Sequence, residues 1–396
     1  MMSRLCFRYY LCRQRHRQNG GIMKKIRVLH FPLSNQKGGR TQYAIRTWKY
    51  IDHDAFQIDF GTVEENFELE ETLTNSGARV YHVNKYAEED FDSFEQQFRY
   101  MLRDGRYDIL HLHTSRWKSF SAENIAREEN IARIIIHAHF SGYKGELTED
   151  QKIIRDLHLD VRSKLTPEIA TDFWACSNEA ADWVFGDRIP KNQIVIMNNA
   201  IDINKYKVDM LQRRMIRNQY GLLPDDFVIG TVGRLVKVKN IDFLIRLMVK
   251  MRQRNQHIKL LIRASGEKKQ EYLNLIESLA LEDSVIFVGY IEEIEKIYSV
   301  FDVFCLPSTG EGLPVVVVEA QAAGLPCIVS DMVGVESKLS SVLQFCPLDE
   351  DLWIEKIYEL YLARGKRKDT SYEIKKAGYD INTQIKKIEK GYRGEL

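Results

Sequence analysis

Short apolar runs rich in β-branched residues recur along the chain, and between most of them lie helix-length stretches whose apolar positions repeat every three to four residues. The pattern predicts strands at 26–31, 57–61, 79–83, 107–113, 133–139, 172–177 and 194–199, and a second series at 227–233, 258–264, 285–289, 303–308, 327–331 and 343–347. Strands alternating with helices predict βαβ units and parallel sheets. Two such series predict two doubly wound, Rossmann-like α/β domains, with the join near "NNAIDINKY" (198–206), where Asn and Asp break the apolar rhythm. Ligands of open α/β sheets bind outside the carboxyl ends of the strands, so the cleft between two such domains is the expected site.

One stretch runs against its own propensities. In "STGEGLPVVVVEAQAAGLPCIVSD" (308–331) four successive valines favour a strand, yet Pro314 precedes them and "EAQAAG" follows. Proline in a first turn and glycine just past the end mark a helix. A helix apolar on all sides is a buried one, where tertiary contacts outweigh a few tenths of a kcal/mol per residue of poor propensity. Glu311 lies just before it and Glu319 inside it.

The chain of 396 residues exceeds what one core serves, and 44% hydrophobic with 29% charged residues is the composition of an ordinary globular protein. A formal net charge of +1 gives no reason to expect nucleic acid as partner. Residues 1–27 carry eight basic and no acidic side chains. That start reads either as a basic leader over 1–22, ahead of a domain beginning at "MKKIRVLHF", or as a targeting or membrane-surface segment. No apolar run approaches the ~18 residues of a membrane span, and a cytoplasmic location is expected. Six cysteines show no CxxC pairing. Cys176, Cys305, Cys327 and Cys346 fall in apolar segments, where the residue acts as a small core side chain.

Two stretches carry candidate chemistry. In "GTVGRLVKVKNIDFLIRLMVKM" (230–251) a strand ends at Gly233, a loop holds Arg234 and Lys239, and Asn240 stands where a helix cap is expected. Such a loop offers free N–H groups and a helix dipole to an anion, and a guanidinium with an ammonium suits a diphosphate. Two solvated charges beside a capped helix is the competing reading. In the valine stretch, Glu311 and Glu319 are acceptor-only groups, best explained by hydroxyls to be bound, one a ribose diol and the other a sugar hydroxyl.

Together "GRLVKVKN" and "PSTGEGLPVVVVEAQAAGLPCIVSD" resemble the C-terminal half of the retaining glycosyltransferases of family 4, the group 1 glycosyltransferases of GT-B architecture, whose hallmark is two glutamates eight positions apart. The resemblance implies that Arg234 and Lys239 bind the donor diphosphate, Glu311 contacts the hexose and Glu319 the ribose. Gly312, Leu313, Pro314 and Val315 complete the donor loop. "SNQKGGRTQYA" resembles the family's glycine-rich loop, so Gly38 and Gly39 are expected to let backbone approach the donor phosphate. "RIIIHAHFSG" resembles the capsule and exopolysaccharide branch, which places His139 beside the donor sugar. "NNAID" resembles the family's domain join, with Ala200 in place of the usual glycine.

Catalysis is thus expected to rest on His139, Glu311, Arg234 and Lys239, moving a hexosyl unit from a nucleotide sugar, a UDP-sugar by family frequency, to a glycan or lipid-linked acceptor. The domains expected are 23–200 on the acceptor side and 201–378 for the donor. A last helix within 379–396, with Ile381, Ile385 and Ile388 near one face, is expected to cross back onto the first domain. His111 with His113, and His137 with His139, alternate along strands and share a side, so a zinc site competes with hydrogen-bonded strand-end histidines. The resemblance implies no catalytic metal and no cofactor. Two other readings stay open: a GT-B nucleotide-sugar 2-epimerase, and a catalytically silent partner of another transferase. Peripheral attachment at the inner face of the membrane is compatible with a lipid-linked acceptor.

Overall fold

The computed structural model describes residues 24–396 apart from positions 36, 37, 146, 290, 292 and 364–366, so the expected leader, 1–22, lies outside the described residues. Seven strands form the first sheet: β1 (Ile26–Leu33), β2 (Phe56–Thr62), β3 (Val80–His82), β4 (Ile109–Thr114), β5 (Arg133–Ala138), β6 (Asp172–Ala175) and β7 (Ile194–Ile196). Their spatial order is β3-β2-β1-β4-β5-β6-β7. The second sheet holds β8 (Phe227–Arg234), β9 (Ile258–Ser265), β10 (Val285–Val288), β11 (Val303–Leu306), β12 (Cys327–Ser330) and β13 (Leu343–Cys346), in the order β10-β9-β8-β11-β12-β13. All the pairings are parallel. The strand order reverses between β1 and β4, and again between β8 and β11, which opens a crevice at the carboxyl end of each sheet.

Sheets covered on both faces need strands apolar on both faces, and all six residues of β5 are buried, His137 among them. Four helices bear on the site: α1 (Gly39–Tyr50), α2 (Ile241–Arg254), α3 (Val315–Ala322) and α4 (Ile381–Arg393). The valine helix, α3, begins one residue later than the sequence pattern suggests, because Pro314 is its N-cap and not part of its first turn. Val317, Val318 and Ala320 have no exposed surface, so tertiary packing overrides the β preference of valine. Gly324 ends the segment at φ +65, and a Cβ there would come within 2.0 Å of the Lys368 carbonyl oxygen.

The last helix, α4, is capped by Asp380, which accepts from the Thr383 amide at 3.2 Å. It buries Ile385, Ile388 and Tyr392 in a cluster with Val28, Ile58 and Trp174 of the first domain. Full burial of each isoleucine is worth roughly 1.5–3 kcal/mol. At the join, Ala200 is buried and Ile201 bridges Asp380, so the outgoing and returning segments lie side by side.

Candidate functional site

The C-terminal face of the cleft is assembled from the ends of β8 and β11. Arg234 closes β8 and is exposed, whereas Lys239, five residues on, is only 9% exposed. The Lys239 stem runs along Gly233, its Cε 3.3 Å from where a Cβ would stand. Its Nζ donates to both oxygens of Glu311, at 2.9 and 2.7 Å, and the Ser308 hydroxyl donates to the same carboxylate. Asn240 does precede α2, but its side chain makes no cap. The residue adopts φ 52, ψ 42, and its Nδ2 donates instead to the Pro307 carbonyl at 3.1 Å. That bond ties the loop after β8 to the loop after β11, which the sequence pattern did not foretell.

Glu319 sits deeper than Glu311, at 5% exposure on α3. The Tyr298 hydroxyl donates to its Oε2 at 2.6 Å, and Arg46 of α1 reaches its Oε1 at 3.4 Å from the other domain. Burial first, and the Glu319 charge second, push the Tyr298 and Tyr206 phenols up, so both stay protonated donors. Leu313, Val315 and Val316 pack partly buried against the core of the second domain.

The first domain comes down on this loop. A Cβ on Gly312 would stand 2.2 Å from Ser141 Oγ and 3.2 Å from Glu179 Oε2, so only glycine admits the approach. Lys144 pairs with Glu179 at 3.1 Å, and Asn178 donates to Glu336 at 2.9 Å across the gap. Gly38 caps α1 at φ −81, an ordinary value, and a Cβ on Gly39 would meet Asn199 at a normal 3.7 Å. Gly39 is not demanded by the fold itself.

His139 follows β5, and its ring is partly buried in a cluster of five histidines. Parallel register makes the cluster: His30 of β1 lies opposite His111 of β4, and His113 opposite His137 of β5. All lie on one face, and Tyr43 packs edge-on over His137 at a centroid distance of 4.5 Å. Burial lowers every one of them, His30 and His137 to about 3, so the rings are neutral at pH 7. The sequence pattern paired four of these histidines and passed over His30, whose place near the carboxyl end of a central strand was the signal. Ser141, Lys144 and Glu179 were also missed. Polar residues just beyond a β-strand's carboxyl end, as in "HFSGYK" and "CSNE", could have found them.

Residues 212–376 match the family described as "Glycosyl transferases group 1". The match lies in the second domain, which carries the likeness to that family. Over 367 residues, 91% of this chain and 94% of the relative, the sequence is 28% identical to the protein named glycosyltransferase EpsF of Bacillus subtilis strain 168. It is 23% identical over 319 residues, 78% of this chain and 80% of the relative, to the UDP-Gal:alpha-D-GlcNAc-diphosphoundecaprenol alpha-1,3-galactosyltransferase of Escherichia coli. HepE of Anabaena, solved in complex with UDP, superposes with a TM-score of 0.72 at 18% identity, covering 94% of this chain and 100% of that one. The two facing domains are therefore of GT-B architecture. Cys176, Cys305, Cys327 and Cys346 are free and buried, and among the described residues no helix is long and apolar enough to cross a membrane.

Proposed function

We propose that the protein is a retaining, family 4 hexosyltransferase that moves a hexosyl unit from a UDP-sugar to a hydroxyl of a glycan or lipid-linked glycan. The observation that carries this reading is the cluster of Lys239, Glu311 and Ser308 at the cleft, beside the N-terminus of α3. The partly buried ammonium and carboxylate neutralise each other. When donor binds, Lys239 turns to the diphosphate with Arg234, and Glu311 is released to accept from a sugar hydroxyl. Glu319 grips the ribose.

Departure of the nucleoside diphosphate breaks the bond between the anomeric carbon and phosphate oxygen, and charge grows on that oxygen. Arg234 and Lys239, with the amides at the start of α3, stabilise it without a metal or cofactor. The acceptor oxygen bonds to the same face of the anomeric carbon, and its proton passes to the departing phosphate. Gly38 and Gly39 leave room for the donor phosphate, and His139 stands beside the sugar. The likeness of "RIIIHAHFSG" to the capsule and exopolysaccharide branch supports a role in exopolysaccharide assembly. The name of the E. coli relative supports a lipid-linked acceptor, and with it peripheral attachment at the inner face of the membrane.

The test is incubation of purified protein with UDP-, GDP- and ADP-hexoses, with and without a lipid-linked glycan. UDP release that depends on acceptor, with the anomeric configuration of the donor kept in the product, is expected. Conversion of the sugar without acceptor would make the protein a 2-epimerase. Donor binding without turnover under either condition would make it a silent partner.

A further inference from the structure

The helix Met210–Gln219 of the second domain buries two of its charges and shows its apolar side chains to solvent. A surface helix ordinarily does the reverse, hiding an apolar stripe and exposing its charges. Here the Arg213 and Arg217 side chains turn inward, 18% and 6% exposed, while Met210, Leu211 and Met215 turn outward at 68%, 56% and 56%. Ile216 is its single buried apolar residue.

The inward arginines are fully occupied. Arg213 donates to the Ser299, Val300 and Phe301 carbonyls at 2.8, 2.8 and 3.1 Å and to Asp302 at 2.6 Å. Arg217 donates to the same carboxylate at 2.7 Å and to the Asp226 carbonyl at 3.0 Å. These bonds fix the rotation of the helix about its axis. Turning it to bury the methionines would break them and strand the Asp302 charge.

On the outward side, residues four apart stack, so Met210 with Arg214 and Leu211 with Met215 form one continuous face. Arg214 stands in its middle, and Lys207 just before the helix; both are exposed and neither forms an ion pair among the described residues. The acids around the face are already engaged. Asp209 caps the helix, accepting from the Leu211 and Gln212 amides at 2.9 and 3.0 Å. Glu295 lies 3.8 Å from Lys205, and Glu293 pairs with Lys296. Asp369, toward Lys207, accepts from the Ser371 amide at 2.9 Å. Val208 and Leu223, outside the two ends of the helix, are exposed as well, with Asp225 beyond them. The face is apolar with cations to spare, more than scattered single exposed residues would give.

We propose that this face seats on an anionic lipid surface, with Met210, Leu211 and Met215 entering the boundary between headgroups and acyl chains and Lys207 and Arg214 meeting lipid phosphates. Apolar side chains interleaved with cations are the chemistry of an interfacial helix. Methionine adapts to an irregular apolar surface, and the stems of lysine and arginine lie along it while their heads stay with the phosphates. A second copy of the chain fits poorly: Arg214 is at the middle of the helix, so two-fold pairing would set it against its own copy. The purpose of the contact, bringing the cleft to a lipid-linked acceptor, rests on the function proposed above; the contact itself does not.

Flotation of the full chain with vesicles tests the proposal, using phosphatidylcholine alone and phosphatidylcholine with about one-third phosphatidylglycerol. Binding to the anionic vesicles and not to the neutral ones is expected, and it should fall at about 1 M salt, where the screening length is only about 3 Å. Leu211→Glu with Met215→Glu should abolish it. Arg214→Gln should weaken it roughly fivefold, the worth of one cation near an anionic surface. All three side chains are exposed, so melting temperatures should not move. Transfer to a short-chain, water-soluble acceptor should survive the double substitution, whereas transfer to acceptor embedded in anionic vesicles should be lost.

No binding, or equal binding to neutral vesicles, would overturn the proposal. So would binding that the double variant retains, since the basic start of the chain would then carry it. A dimer in light scattering that the double variant dissolves would overturn it too, because a second copy would then cover the face. Failure of the glycosyltransferase reading would look different: anionic vesicles bound as expected, with no sugar transferred to either acceptor.

Discussion

On the C-terminal face of the cleft the polar groups are charged and paired, Lys239 with Glu311 at 2.7 Å and Glu319 with Arg46 at 3.4 Å. On the N-terminal face lies a neutral cluster, five imidazoles bonded to one another and to Tyr392. Both arrangements avoid an unpaired buried charge, but by different means. A charged pair can be exchanged for a charged ligand at modest cost, because the ion pair lost is replaced by one of the same kind. A neutral network offers a directed hydrogen bond and no field. On the proposed reading, the second domain meets the charge of the diphosphate and the first meets the sugar with neutral groups.

The largest test breaks the charged face. Arg234→Ala and Lys239→Ala should each lower turnover several hundredfold in a steady-state transfer assay, as loss of one preorganised transition-state partner does elsewhere. Their effects on stability should differ. Arg234 is exposed, so its removal should leave the melting temperature unchanged. Lys239→Ala strands Glu311 with Ser308 alone and should lower it, while the double variant Lys239→Met, Glu311→Gln should recover stability without recovering activity. Near-normal transfer by both single variants would remove the charged face from the mechanism.

The neutral face answers to pH. Its histidines have native pKa values below the unfolded 6.5, about 3 for His30 and His137. Between those values the unfolded chain binds protons that the native state refuses. Stability is therefore held above pH 6.5 and lost as the pH falls toward 3, by up to roughly 1.4 kcal/mol per pH unit for each histidine. His158, also lowered by burial, adds the same sign. Urea midpoints measured from pH 7 down to 5 should fall steeply, in a range above the ordinary titration of carboxylates. A flat profile would mean that the cluster is already protonated and would undo the contrast between the faces.

The charged face was far more legible in the sequence than the neutral one, and the reason is locality. Arg234 to Lys239 and Glu311 to Glu319 are each contained in one strand–loop–helix turn, so spacing alone brings them to the cleft. The thirteen strands were readable for a similar reason, since apolar runs and their punctuation are local signals. The histidine network is not local: it joins β1, β4, β5 and α4, and only parallel register sets His30 against His111. Tyr392 enters from 362 residues away in sequence. Asn240 shows the same limit on a smaller scale, because the cap position was readable and the Pro307 partner, on another loop, was not.

The smallest test asks whether the two faces are coupled. Arg46 spans them, donating to Ala200 O at 3.4 Å and to Glu319 Oε1 at 3.4 Å, both long contacts. Glu319 has its other oxygen held by Tyr298 at 2.6 Å, so Oε1 is the one a ribose diol would take. Arg46 and the ribose then compete for one acceptor. Arg46→Ala should tighten UDP binding in calorimetry by up to about threefold, the scale of a weak, partly exposed ion pair, and should lower stability by no more than about 1 kcal/mol. Weaker binding of UDP by the variant would mean that Arg46 orients Glu319 for the nucleotide instead of occupying it, and the two faces would then act as one site and not as two opposed surfaces.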